Sequence, residues 1–158
     1  MSALFTRLPS PVGELLVAGD ERELWAIWID GQRYAPEVGR AWRPRAEPFA
    51  EARRQLEQYF AGQRTAFALP LRMRGTPFQI EVWSALTRIP FGQTRTYREL
   101  AAGLGRPAAA RAVGAANGRN PFCIVVPCHR LIGADGGLVD YAAGVAAKRW
   151  LLAHEAAL

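Results

Sequence analysis

Tyr97-Arg98-Glu99-Leu100-Ala101-Ala102, the turn Gly103-Leu104-Gly105, and Pro107-Ala108-Ala109-Ala110-Arg111-Ala112-Val113-Gly114-Ala115-Ala116-Asn117 decide how this chain is read. Two short helical runs around a glycine-containing turn make a helix-turn-helix, whose second helix usually enters a DNA groove. Here the second helix is almost all Ala and Gly, and Arg111 is its one long side chain. Such side chains cannot reach base edges in the major groove, yet they let a backbone approach closely. The pattern therefore suits a helix lying in the minor groove, where base sequence is poorly read. By itself it does not separate a DNA-binding pair from ordinary packed helices, so the flanking residues carry the decision.

Downstream, Gly118-Arg119-Asn120-Pro121 is a turn that feeds Ile124-Val125-Val126-Pro127-Cys128-His129-Arg130. Three β-branched apolar residues predict a short buried strand, which Pro127 ends because proline cannot donate to a ladder. A thiol and an imidazole follow the stop. A thiol acts as a nucleophile only as thiolate, and a neighbouring base or cation lowers its pKa from about 8.5. Cys128 is thus the first candidate nucleophile, while a small buried hydrophobe is the alternative use of a free cysteine. Cys123 lies an odd number of residues away on the same expected strand, so it should face the other side as a structural residue. Leu131 to Gly137 reads as a flexible return. A terminal helix is expected from Val145 to His154, with Trp150, Leu151 and Leu152 on its buried side. Glu155 then sits against the dipole at that helix's C-terminus, a placement that hints at another task.

Upstream, Thr76-Pro77-Phe78-Gln79 carries three helix-start signals: a capping threonine, proline in the first turn and Gln79 completing a capping box. The helix should run through Val82, Trp83 and Leu86 to about Arg88, where Ile89-Pro90-Phe91-Gly92 ends it. The change of character at Arg72-Met73-Arg74-Gly75 places a domain boundary between residues 74 and 75. Before it, Gly13 to Ala18 and Leu24 to Ile29 predict an antiparallel hairpin. Gly31 to Pro48 reads as a loop. Phe49, Leu56, Tyr59 and Phe60 recur at helical spacing, with Gly62 as the stop, and Phe67 to Leu71 is a further strand candidate. Trp25 and Trp28 are expected in the core.

With 158 residues, half of them hydrophobic, the chain can bury a substantial core. No apolar run approaches the ~18 residues of a membrane span, and Met1 to Phe5 lacks the features of a signal peptide. Two cysteines five apart would close almost no loop as a disulfide, which favours a reducing cytoplasmic setting. A zinc site would need both cysteines and both histidines, with His154 far along the chain, so no metal is expected. Of the formal charge of +6, the decisive part is local: between residues 88 and 130 there are seven arginines and one acid, Glu99. Clustered guanidinium groups suit phosphate contacts, since each can hold two phosphate oxygens. An ordinary solvated basic face would carry the same charge.

Taken together, Gly75-Thr76-Pro77-Phe78-Gln79, Ile89-Pro90-Phe91-Gly92-Gln93-Thr94, Tyr97, Arg111-Ala112-Val113-Gly114, Asn120-Pro121, Pro127-Cys128-His129-Arg130, Tyr141, Lys148 and Leu151-Leu152-Ala153-His154-Glu155 closely resemble the O6-alkylguanine-DNA alkyltransferases. The match is dense over residues 75–155 and looser before residue 70. The resemblance implies a two-part α/β (α+β) fold. Residues 1–74 would form a support domain with an antiparallel sheet and a helix, in an RNase H-like layout. Residues 75–158 would form a mostly helical, winged helix-turn-helix-like domain for DNA binding and alkyl transfer. It implies that Cys128 accepts an alkyl group, that His129 takes the thiol proton through a bound water, and that Glu155 orients His129. Asn120 would brace the turn, and Tyr97 would hydrogen-bond or protonate the leaving purine. Tyr141, Ala142 and Leu131 would line the base pocket. Arg111 would fill the space left by a flipped nucleotide, with Ala112, Gly114 and Ala115 beside it against the minor groove.

The implied reaction is direct reversal of O6-alkylguanine, and less efficiently O4-alkylthymine, in double-stranded DNA. It would take one turnover per molecule, without cofactor, by a monomer whose cooperativity on DNA stays open. Relative to the family, Ala143 replaces a common glycine, Asp140 is atypical beside Tyr141, and the zinc ligands of some relatives' first halves are missing. A lesion sensor of the same fold would replace the reactive cysteine, a transcription factor would need more base-reading side chains, and a thiol hydrolase would need an oxyanion hole.

Overall fold

The computed structural model describes residues 3–35, 37–138 and 141–156. Strands β1 (Leu4–Leu8), β2 (Leu15–Gly19) and β3 (Leu24–Ile29) form an antiparallel meander, and the short β4 (Arg43–Pro44) pairs parallel to β1 at the edge, giving the order β3-β2-β1-β4. The expected β2–β3 hairpin is present, with Leu15 opposite Ile29 and Val17 opposite Ile27. Helix α1 (Ala50–Phe60) buries Ala52, Leu56 and Tyr59 against the sheet's Leu8, Leu15 and Ile27. It stops where Gly62 takes a φ of 76°.

Helix α2 (Pro77–Leu86) begins as its sequence predicts: Thr76 Oγ1 accepts from the Gln79 N–H, and Gln79 Oε1 accepts from the Thr76 N–H. Gly75 is required just before it, because a Cβ there would meet the Trp83 ring at 2.7 Å. After β5 (Arg95–Thr96) come α3 (Tyr97–Gly103) and α4 (Ala110–Gly118), the expected helix pair. The Trp83 indole N–H donates to the Ala116 carbonyl at 2.8 Å and pins α2 to α4. Strand β6 (Leu131–Ile132) pairs parallel to β5, and α5 (Val145–His154) closes the chain. One buried cluster runs without interruption from Leu8, Val17 and Tyr59 to Val82, Val113 and Leu151. Both halves therefore share a core. No described helix is long and apolar enough to cross a membrane.

Several expectations are corrected. Ile124-Val125-Val126 is a turn, not a strand: Ile124 has a φ of 74°, and the Val126 N–H bonds back to the Phe122 carbonyl at 2.9 Å. Apolar β-branched runs mark burial, and here the burial belongs to a coiled segment. With the strand gone, the alternation that put Cys123 on the far side from Cys128 is gone too. Phe67 to Leu71 makes only an isolated bridge, Leu71 to Leu24. The return after Arg130 starts as β6 rather than as a flexible link. Trp25 and Trp28 are half-buried rather than core, and the Arg72 and Arg74 guanidiniums lie over the Trp25 ring at 5.4 and 5.6 Å. Asp140 lies outside the described residues.

Candidate active site

The Cys128 segment is held by hydrogen bonds rather than by a sheet. Asn120 accepts from the Phe122 N–H at 2.9 Å and donates to the Val126 carbonyl at 2.8 Å, spanning the turn from inside. The Ile27 N–H donates to the Pro121 carbonyl, and the Cys123 N–H to the Ile27 carbonyl, fastening the entry to β3. Pro127, at φ −80° and ψ 65°, closes an inverse γ-turn in which the Cys128 N–H reaches the Val126 carbonyl at 2.8 Å. Cys128–Arg130 then form one 3-10 turn, and all three side chains are buried. An Ile at positive φ is strained backbone, and this turn is over-determined enough to keep it.

The two residues that follow the thiol on that turn share one buried carboxylate. His129 is fully buried, and its Nε2 lies 2.8 Å from Glu155 Oε2. Arg130 grips the same carboxylate with two bonds, Nε to Oε1 at 2.8 Å and Nη2 to Oε2 at 3.0 Å, and donates to the Ile89 carbonyl at 2.6 Å. The Tyr59 hydroxyl donates to Glu155 Oε2 at 2.6 Å. Burial alone would raise the Glu155 carboxyl, but bonds from His129, Arg130 and Tyr59 outweigh it and hold the group well below the carboxylate range. A carboxylate can only accept, so the shared proton sits on His129 Nε2. Burial lowers the His129 pKa against the pull of Glu155, which keeps the ring neutral. Its Nδ1 is then a buried lone pair, and it has no protein partner. That nitrogen is a base in waiting.

Cys128 is 3% exposed. Its thiol is drawn down to about 7, chiefly by the neighbouring Cys123 thiol. Burial opposes that fall, while the Asn120 amide, the Tyr141 hydroxyl and the positive charge of Lys148 support it. Lys148 is fully buried on α5 and donates to the Leu131 carbonyl at 2.5 Å. The Tyr141 hydroxyl reaches Cys123 Sγ at 3.7 Å, and burial raises its pKa, so it remains a donor.

The structure thus bonds His129 to Glu155 and sets Cys128 on the same turn as His129, under the influence of Asn120 and Tyr141. Leu131 is a core side chain with no solvent face, and Ala142 is half-buried with its carbonyl accepting from the Arg33 N–H. Tyr97 stands at the start of α3, and its ring lies against Gly114 of α4. On α4 the expected contact stripe is open: Arg111, Ala112 and Ala115 are exposed, whereas Val113, Ala116 and Asn117 are buried. Among the described residues, no three His, Cys, Asp or Glu side chains converge as a metal site would require.

Four contributors escaped the sequence reasoning: Tyr59, Lys148, Arg130 as a carboxylate clamp, and Cys123 as a neighbour of Cys128. A signal existed for one of them. Lys148, Leu151, Leu152 and Glu155 fall at i, i+3, i+4 and i+7, so an ammonium and a carboxylate share the apolar stripe of α5.

Comparison with known proteins gives a consistent result. Residues 4–73 match the family model described as 6-O-methylguanine DNA methyltransferase, ribonuclease-like domain, and residues 77–157 the model for the DNA binding domain of the same proteins. A methylated-DNA–protein-cysteine methyltransferase of Methanosarcina acetivorans is 50% identical over 146 residues, covering 92% of this chain and 94% of that protein. The protein of the same name from Mycobacterium leprae is 50% identical over 149 residues, covering 94% and 89%. The crystal structure of Mycobacterium tuberculosis OGT in complex with DNA superposes with a TM-score of 0.92 at 47% identity, covering 96% of this chain and 92% of that one.

Proposed function

Since the chain belongs to the 6-O-methylguanine DNA methyltransferase family, we propose that it repairs DNA by moving an alkyl group from the O6 of guanine to Cys128. One observation carries this reading: the acidic Cys128 thiol shares a rigid buried turn with a neutral His129 whose only lone-pair nitrogen, Nδ1, is left free by the Glu155 bond.

The steps follow from the site. Double-stranded DNA binds through the minor groove to the open face of α4, where the small Ala112, Gly114 and Ala115 let the backbone come close and Arg111 enters the stack. The damaged nucleotide rotates out, since its alkyl carbon is unreachable within the duplex. Tyr141, the Ala142 backbone and the Leu131 segment form the wall that receives it. The Cys128 proton passes through a water to His129 Nδ1, and Glu155 offsets the charge that develops on the ring. The sulfur attacks the alkyl carbon in line. An S–C bond forms, the C–O6 bond breaks, and its electron pair stays with guanine. Tyr97 hydrogen-bonds or protonates that purine, making it a better leaving group.

The product is a thioether, which thiols do not exchange, so each molecule acts once. No cofactor enters this scheme, since DNA supplies the carbon and Cys128 the sulfur. Alkylated O4 of thymine would react by the same route, less efficiently. We take residues 1–74 as the support domain and residues 75–158 as the reacting one, in a monomer. Two adjacent reduced thiols suit a reducing cytoplasm.

Mass spectrometry after mixing with duplex DNA containing O6-methylguanine tests the reading. The peptide spanning residues 120–130 should carry one methyl group on Cys128, in equal amount to the guanine restored. Restored guanine with an unmodified Cys128 would refute it. Arg111→Ala should slow transfer from duplex DNA by roughly tenfold or more while sparing transfer from free O6-benzylguanine. That contrast reads a role in extrusion, which costs a few kcal/mol in a duplex and nothing in a free base. Equal losses on both substrates would remove that role.

A further inference from the structure

The open face of α4 does not end with the helix. Arg111, Ala115 and Arg119 are spaced four apart, so they share one face. Arg119 caps the helix, its N–H donating to the Ala116 carbonyl at 3.1 Å, and it is exposed like Arg111 and Ala115. Its guanidinium lies over the ring of Tyr34, 3.6 Å from the centroid. Tyr34 comes from the first half of the chain, in the loop that follows β3, and its side chain is exposed. The transfer chemistry proposed above assigns no task to either residue.

The backbone that presents Tyr34 is anchored and strained. Gln32 is buried, and its Oε1 accepts from the Ile29 N–H at 3.0 Å. The Arg33 N–H donates to the Ala142 carbonyl at 3.0 Å. Directly after these anchors Tyr34 takes a φ of 66°, a conformation that a bulky residue rarely adopts. Such strain persists only where surrounding contacts over-determine it, and it gathers at ligand clamps. Here it accompanies a ring set beneath a guanidinium at the end of the open helix face.

We propose that Arg119 is a second DNA-binding arginine, which grips a backbone phosphate of the duplex, and that Tyr34 is the positioning residue that holds it in place. This inference rests on duplex DNA lying on the open face of α4. Stacking on a ring occupies the plane of a guanidinium and leaves its N–H edge able to hold two phosphate oxygens. It also fixes a long side chain in advance, so less rotamer freedom is lost when the phosphate arrives. At 1.5 Å per residue, Arg119 stands about 12 Å along α4 from Arg111, roughly three to four base-pair steps of duplex. Its phosphate lies outside the extruded nucleotide, and the contact reads neither the base nor the lesion. The first half of the chain then does more than support the second, because Tyr34 carries it into the DNA interface.

The test measures binding of the full chain to unmodified duplex DNA by fluorescence anisotropy across a series of salt concentrations. Arg119→Ala should weaken binding about five- to tenfold at about 0.1 M salt and flatten the slope of log affinity against log salt by about 0.9, the share of one phosphate. Tyr34→Ala should weaken binding about two- to fivefold, the worth of an exposed cation–π contact. Tyr34→Phe keeps the ring face and should match the parent, and Tyr34→Ala should add nothing in the Arg119→Ala background. Transfer from free O6-benzylguanine should keep the parental rate in each variant, since no phosphate takes part. An unchanged salt slope in Arg119→Ala, or a Tyr34→Ala loss that persists in the double variant, would overturn the proposal. Losses of equal size with the free base would do the same, because they would place the defect in the neighbouring Asn120 turn. The binding results need no alkyl transfer. Salt effects as stated, in a protein whose Cys128 is never alkylated, would uphold Arg119 and Tyr34 and overturn the proposed function.

Discussion

Cys128→Ser should transfer no detectable alkyl group while binding alkylated duplex DNA about as well as the parent. The substitution keeps the shape of the side chain and leaves the Asn120, Pro127 and Arg130 bonds of its turn in place. What it removes is an acidic thiol. The surroundings bring Cys128 to about 7, but the same bonds cannot bring a serine hydroxyl into the neutral range, because it starts many units higher. Gel-shift or anisotropy titrations would read binding, and quantification of remaining O6-methylguanine would read transfer. Guanine restored by the Ser protein would show that another atom receives the group. Lost DNA binding with intact fold would show that the thiol belongs to the binding surface instead.

Glu155→Ala should cost about 3–5 kcal/mol of stability, since it leaves Arg130 as a buried cation without its partner. For a chain of this size that is a fall of roughly 10 °C in Tm. The Tyr59 hydroxyl and His129 Nε2 lose their acceptor at the same time. Transfer should fall even at temperatures where the variant is folded, because nothing then selects the His129 tautomer with a free Nδ1. The sign of the pH dependence follows from the depressed carboxyl. Its contribution is present in full above the ordinary value of 4.5 and is lost as pH falls through the lower folded value. The parent should therefore lose stability more steeply in acid than Glu155→Ala does. Thermal melts across acid and neutral buffers would check both statements, and parallel curves would place the carboxylate's energy elsewhere.

These two sites differ in how openly the chain announces them. Cys128 and His129 are adjacent and stand in a run dense with family residues, so their candidacy needs no coordinates. Glu155 announces itself weakly, as an acid misplaced at a helix C-terminus. Tyr59 lies 96 residues from the carboxylate it bonds, and no spacing rule links the two. Lys148 was visible as a charge on an apolar stripe, but its reach to the Leu131 carbonyl depends on where α5 packs. The strand expected at Ile124 to Val126 failed for a related reason. Three apolar β-branched residues report that a segment is buried, and they say nothing of whether a partner strand is available.

The chain by itself determined the helices and the hairpin, because the bonds that begin and end them join residues a few positions apart. Thr76 with Gln79 and Thr96 with Glu99 form capping boxes written within four residues. The residues of α5 carry their own apolar periodicity in the same way. Only the tertiary structure decided the conformation of the Cys128 turn and the company its sulfur keeps. Ile124 at positive φ, Asn120 spanning the turn, β3 holding Cys123 and α5 supplying Lys148 are each locally indifferent choices. They become favourable only when distant segments bury them together, since a hydrogen bond or a charge gains most of its strength where water has been excluded.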